Sequence, residues 1–223
     1  MRPFAVAALL LATLPGFSYY ASAQAQATAV KDPALLKAPL GKPLAIVDFE
    51  DLECPACSHA FPLVHQAADH YKIPIVRHDF PLQMHLWSRD AAITARYIQD
   101  KISPGAAEDF RGAVFQNQAS ISSKDDLQAF TQKYFQQHGR AMPFVMDPTG
   151  QFAREVQADY DLGVRVGLNH TPSIFVVTQK GYTEVLDVSQ LFQTIDTAQA
   201  SLPAGSDTHA ANSKLRHPNT VQR

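Results

Sequence analysis

The stretch Asp48-Phe49-Glu50-Asp51-Leu52-Glu53-Cys54-Pro55-Ala56-Cys57 decides how this chain is read, because it holds the only two cysteines in 223 residues. The run before the pair, Leu44 to Phe49, predicts a buried strand. The run after it predicts a helix from Ser58 to Tyr71, with Ala60, Phe61, Val64, Ala67 and Ala68 at helical spacing and a kink at Pro62. A strand that turns through Cys-x-x-Cys into a helix is the setting of a redox pair. It puts Cys54 at a helix N-terminus, where unpaired N–H groups and the helix dipole favour a thiolate. Pro55 suits the first turn because it has no N–H to leave unsatisfied.

Other uses of two cysteines fit less well. A structural disulfide closing so short a loop removes little unfolded-state entropy. A zinc site needs about four protein ligands, and the sequence has no second pair. A c-type haem needs Cys-x-x-Cys-His, and Ser58 occupies the histidine position. A Cu(I) site built from both thiolates and His59 or His170 stays open, since soft ligands select that ion.

The formal net charge is −2 and 46% of residues are hydrophobic, which suits a real core and gives no basic footprint for nucleic acid. Residues 1–23 read as a signal peptide. Arg2 is the positive end, Phe4 to Leu14 the apolar region, and Ala21-Ser22-Ala23 the cleavage site. No later apolar run is long enough to span a bilayer. A mature chain from Gln24 would work where disulfides persist, and a periplasmic location is expected. Residues 24–42 form a lead-in too short for a dimerisation domain, with a short helix opened by Lys31-Asp32-Pro33. Residues 201–223 are polar, lack apolar periodicity and read as a disordered tail.

The body predicts an α/β protein. Ile73 to Phe80 is a second strand, with Pro74 near its start arguing for an edge or first-residue position. Pro81 to Trp87 leaves the sheet. Helices follow from Arg89 to Lys101 behind an N-cap at Ser88, from Ala106 to Gln116 after the punctuation Ser103-Pro104-Gly105, and from Ser122/Ser123 to His138-Gly139. A fourth begins at Asp147-Pro148 and reaches Leu162, where Gly163 and Gly167 loosen the chain. Strands Thr171–Val177 and Tyr182–Leu186 and a helix from Ser189 to Ala200 close the pattern. The sheet segments are thus 43–81 and 168–200, with a helical insertion at 82–167.

Val47-Asp48-Phe49, Cys54-Pro55-Ala56-Cys57, Thr171-Pro172 and Phe80-Pro81-Leu82 with His85 resemble the thioredoxin superfamily, and within it the DsbA-like thiol–disulfide oxidoreductases. The resemblance covers about residues 40–200. It implies a thioredoxin fold with an inserted helical domain, and no cofactor. It implies that Cys54, the exposed member at the helix end, attacks or is attacked while Cys57, buried, resolves the mixed disulfide. The Thr171–Pro172 bond would be cis, presenting the Thr171 backbone to an extended substrate strand. Asp48, six residues before Cys54, would be a buried acid exchanging a proton with Cys57 through water. The implied partners are unfolded or partly folded exported proteins and a membrane or thiol redox partner that resets the pair, with the chain acting as a monomer.

Several readings bear on the direction of transfer. Ala56 stands where the strongest oxidants of the family carry histidine. Glu50, Asp51 and Glu53 read as a solvated acidic approach that repels a thiolate. Both predict an oxidase weaker than a Cys-Pro-His-Cys relative, with a reductase or isomerase on the same fold as the alternative. His59 and His170 are candidates for tuning the thiols, and Met84, His85 and Trp87 for lining the substrate face.

Overall fold

Every residue of Leu44–Glu50, the first strand (β1), is buried, which marks it as an interior strand. It pairs in parallel with β2 (Ile75–Asp79) and antiparallel with β3 (Ser173–Thr178), and β3 pairs antiparallel with β4 (Tyr182–Val185). The order is β2-β1-β3-β4. β2 is an edge strand, and Pro74 just precedes it, its carbonyl accepting the Ile46 N–H. The computed structural model describes residues 28–203; the signal peptide expected at 1–23 and most of the tail expected at 201–223 lie outside the described residues.

Strand alternation divides β1 between two cores. Leu44 and Ile46, with Ile174 and Val176 of β3, pack on Ala60, Val64 and Ala67 of α1 (Pro55–Tyr71) and on Leu191 and Ile195 of α6 (Leu191–Ala200). Ala45, Val47 and Phe49 face the other way, against Phe175, Val177, Phe80, Val166 and Leu168. A third core joins α2 (Ser88–Lys101), α3 (Pro104–Asn117) and α4 (Lys124–Gln137) to Leu52, Trp87 and both cysteines. The Cys pair therefore lies on the seam between the sheet and the helices inserted after β2. The fourth inserted helix, α5 (Gln151–Val166), returns to the sheet: Tyr160 stacks on Phe80, with ring centroids 4.9 Å apart.

Local rules explain where the elements begin. Ser103, read as punctuation, is the N-cap of α3, accepting the Ala106 N–H, with Pro104 in the first turn. Ser123 caps α4 in the same way. Ser88 is not the cap of α2 but its first residue. The acceptor comes from outside the helix, because Glu53 Oε2 takes the N–H groups of both Trp87 and Ser88. Helix α5 opens at Gln151, later than expected, while Asp147 reaches forward to accept the Ala153 N–H. Pro62, the eighth residue of α1, does not end the helix, which runs on to Tyr71 although the proline removes one of its backbone bonds. Gly163 does not loosen the chain either. It is a buried helical residue, and a Cβ there would sit 2.5 Å from Phe80 ring carbons.

Candidate active site

The turn from β1 into α1 delivers both thiols. Cys54 is the N-cap of α1; its carbonyl accepts the Ser58 N–H and its N–H donates to the Asp51 carbonyl at 3.0 Å. Gln118 closes the outside of the turn, its side-chain amide donating to the carbonyls of Leu52 at 2.7 Å and Cys54 at 3.1 Å. Across the gap, the Thr171–Pro172 bond is cis. Cys54 Sγ lies 3.4 Å from the Thr171 carbonyl, to which the protonated thiol donates. The turn that leads into β3, the antiparallel partner of β1, thus places a backbone carbonyl directly on the first cysteine.

The two thiols are pushed apart in acidity. A hydrogen bond from the Cys57 thiol is the largest cause lowering Cys54 to about 5; burial opposes it, and the Thr171 side chain and the N–H groups of Cys57 and Ala56 add to it. Thr171 Oγ1 is itself buried with no hydrogen-bond partner, so it has a proton free for a neighbouring acceptor. Burial pushes Cys57 well above the ordinary thiol range, reinforced by its bond to Cys54 and by the Asp48 charge. Cys54, expected to be exposed, is 7% accessible against 2% for Cys57, because Thr171 and the inserted helices close over it.

Beneath the pair lie charges that the sequence reading placed in solvent. Glu50 and Asp51 are 2% and 0% exposed, and the solvated acidic approach does not exist. Alternation turns Asp48 and Glu50 to the α1 face, and the register sets Arg77 beside Asp48 and Asp79 beside Glu50 on β2. Arg111 of α3 bridges the two strands, with Nη1 2.8 Å from Glu50 Oε1 and 2.7 Å from Asp79 Oδ1. Arg77 Nε stands 3.1 Å from Glu50 Oε1 at an ion-pair distance without hydrogen-bond alignment, and Arg77 also pairs with Glu108. Arg96 Nε holds Asp79 Oδ2 at 2.5 Å and pairs with Asp159. Burial would raise Asp79, but Arg111 and Arg96 hold it below the ordinary carboxylate range. Asp48 has no such clamp. Burial, then the neighbouring Glu50, lifts it to about 7, and its Oδ1 has no hydrogen-bond partner. An acid poised there can carry a proton to or from Cys57 near neutral pH.

The remaining candidates separate. Trp87 belongs to the core, its indole donating to the Ile121 carbonyl at 3.0 Å, whereas Met84 is 79% exposed. His85 turns inward to Asp51 at 2.7 Å. His59 and His170 are exposed and line a groove of about 740 Å³ beside Ala56, Thr171 and Pro172. Neither joins the thiols in a ligand set: among the described residues no group of three His, Cys, Asp or Glu side chains could hold a metal ion. The sequence reading missed Arg111 and Gln118. A lone arginine on a helix carries no local signal of burial, while a glutamine just past α3 could have been suspected only with the fold in hand.

A family model described as Thioredoxin matches residues 40–197. No curated protein sequence matches the chain. Among solved structures, Wolbachia pipientis α-DsbA1 superposes with a TM-score of 0.60 at 16% identity, covering 74% of this chain and 90% of that one. Proteus mirabilis ScsC gives 0.59 at 17% identity, with 78% and 77% covered. Pseudomonas aeruginosa DsbA2 gives 0.54 at 18%, with 75% and 94% covered. At such identities the likeness is one of fold. The family match spans well over half the sequence: the chain belongs to the thioredoxin family, and its fold is shared with these DsbA and ScsC structures.

Proposed function

We propose that the protein is a thiol–disulfide oxidoreductase that passes a Cys54–Cys57 disulfide to dithiols of substrate proteins, acting as a dithiol oxidase. The observation that carries this is the split between the two thiols, with Cys54 lowered to about 5 and Cys57 raised. In exchange, a substrate thiolate attacks Cys54 Sγ, the Cys54–Cys57 bond breaks, and Cys57 leaves as a thiolate that takes up a proton. The substrate's second thiol, losing its proton, then attacks the substrate sulfur of the mixed disulfide and releases Cys54 as a thiolate. Two electrons pass to the protein and the substrate gains a disulfide.

Roles follow from position. Cys54 is the sulfur that exchanges with substrate, and Cys57 resolves. Asp48 supplies or removes the Cys57 proton. Thr171 and Pro172 form the edge against which an extended substrate chain lies, beside the groove that holds His59 and His170. A stable Cys54 thiolate stabilises the reduced form, so the disulfide is an oxidant. Its acidity falls between about 7 for thioredoxin and about 3.5 for DsbA, which supports an oxidase of moderate strength in spite of Ala56. The sequence of residues 1–23 supports export to the periplasm, where unfolded exported proteins would be the substrates and a membrane or thiol partner would reoxidise the pair.

A Cys57→Ser variant tests the reading by accumulating mixed disulfides through Cys54 when offered reduced, unfolded ribonuclease. Oxidised wild-type protein should restore ribonuclease activity stoichiometrically. No mixed disulfide with Cys57→Ser, together with no oxidation by the wild type, would overturn it.

A further inference from the structure

Asp51 touches both cysteines and does so from a fully buried position. Its carbonyl accepts the Cys54 N–H at 3.0 Å, and its own N–H donates to Cys57 Sγ at 3.4 Å. Its carboxylate has three donors. Oδ1 takes the Glu53 N–H at 2.8 Å, an ordinary Asx turn. Oδ2 takes two from a segment more than thirty residues away, the Leu82 N–H at 2.7 Å and His85 Nδ1 at 2.7 Å. A carboxylate can only accept, so His85 carries its proton on Nδ1. An Asx turn alone would account for the loop; the two long-range donors fix that loop against a second segment, and with it the peptide facing Cys57. His85 is the surface member of the arrangement, its side chain 18% accessible.

Resting on the thiol–disulfide reading, we propose that Asp51 is a positioning residue for the resolving thiol. The Leu82 N–H and His85 clamp its carboxylate, and the clamp aims the Asp51 N–H at Cys57 Sγ, where it stabilises the thiolate that leaves or attacks in exchange. The other groups facing Cys57 act against that thiolate or share its proton. Burial and the Asp48 charge disfavour it, and Cys54 keeps the proton on Cys57 by accepting a hydrogen bond from it. The Asp51 N–H, 3.4 Å from this sulfur, works for the charged form. A hydrogen bond to a charged acceptor is among the stronger ones in a protein, so losing its aim slows every step that passes through the Cys57 thiolate.

Reduced protein mixed with 5,5′-dithiobis(2-nitrobenzoate) reads the two thiols separately. Cys54 thiolate attacks the reagent and releases the first thionitrobenzoate. Cys57 thiolate then attacks Cys54 Sγ, closing the Cys54–Cys57 bond and releasing the second. At pH 7, Asp51→Asn and His85→Ala should slow the second phase by about tenfold or more and leave the first within about twofold. His85→Asn, whose side-chain amide can stand in for Nδ1–H, should recover most of the loss. A general loosening of the site would change both phases together and would not be rescued by Asn. Either that pattern, or His85→Ala with both phases at the wild-type rate, would overturn the proposal. Failure of the underlying reading looks different: the wild type would release one equivalent only, and Cys57→Ser would match it.

Discussion

A Cys54 acidity near 5 makes the redox potential respond to pH in a way that can be worked out beforehand. Reduction takes up two electrons and, when both thiols are protonated, two protons. Above the Cys54 value the reduced form keeps only the Cys57 proton, because Cys57 lies far higher. The potential should therefore fall by about 59 mV per pH unit below pH 5 and by about 30 mV per unit from there to pH 8. At pH 7 the thiolate outweighs the thiol by about a hundredfold, which stabilises the reduced form by about 2.7 kcal/mol and raises the potential by about 60 mV over an unperturbed pair. Stability shows the same linkage. Cys54 is depressed from an ordinary value of 9.0 to about 5 in the fold. Its contribution is fully present above pH 9 and is lost as pH falls through 5. Reduced protein should gain about 1.4 kcal/mol per pH unit across that window relative to oxidised protein. The difference between the two forms isolates this thiol, since Asp48 contributes to both. Glutathione equilibration from pH 4 to 8, with thiolate absorbance at 240 nm and urea unfolding of both forms, measures all three quantities. A slope staying near 59 mV per unit through pH 7 would refute the reasoning, because it would place Cys54 in the ordinary thiol range.

Three substitutions test the charged layer under the pair and the core behind the sheet. Asp48, lifted to about 7 from an ordinary 3.8, favours folding least when it must be charged: its penalty is absent below pH 3.8 and complete above pH 7. Asp48→Asn should therefore raise urea stability by about 4 kcal/mol at pH 8 and leave it nearly unchanged at pH 4, while slowing exchange through Cys57. Arg111→Met leaves the carboxylates of Glu50 and Asp79 without their shared partner and should cost about 3–5 kcal/mol in urea unfolding at pH 7. Gly163→Ala drives a Cβ into the Phe80 ring, which cannot swing away because Tyr160 stacks on it and Phe49 packs at its edge. It should lower stability by about 1–3 kcal/mol, visible as a fall in the denaturant midpoint.

What could be read from sequence divides along a physical line. The strand, the Cys pair, the helix and the Thr171-Pro172 strand start depend on neighbours within a few residues, and their patterns survive in a one-dimensional reading. The charged layer under the thiols does not. Asp48, Glu50 and Asp51 precede a turn, and acids at a strand end ordinarily face water. The period-2 alternation that turned Leu44 and Ile46 inward also pointed Asp48 and Glu50 inward, so half the signal was present. The other half was whether anything covers that face beyond the end of α1's apolar stripe. The cover is α3, whose Arg111 lies 61 residues from Glu50, and nothing local distinguishes it from a solvated arginine. The same gap explains Glu53. It read as a loop charge, and it is the cap that α2 lacks, since Ser88 Oγ has no hydrogen-bond partner and Trp87 offers none. A helix start whose own residues cap poorly, like a strand end with too many acids, signals that a partner from elsewhere in the chain completes it. Here the two incomplete patterns complete each other: the turn before Cys54 supplies the acceptor for α2, and the segment before α2 supplies the donors that hold Asp51.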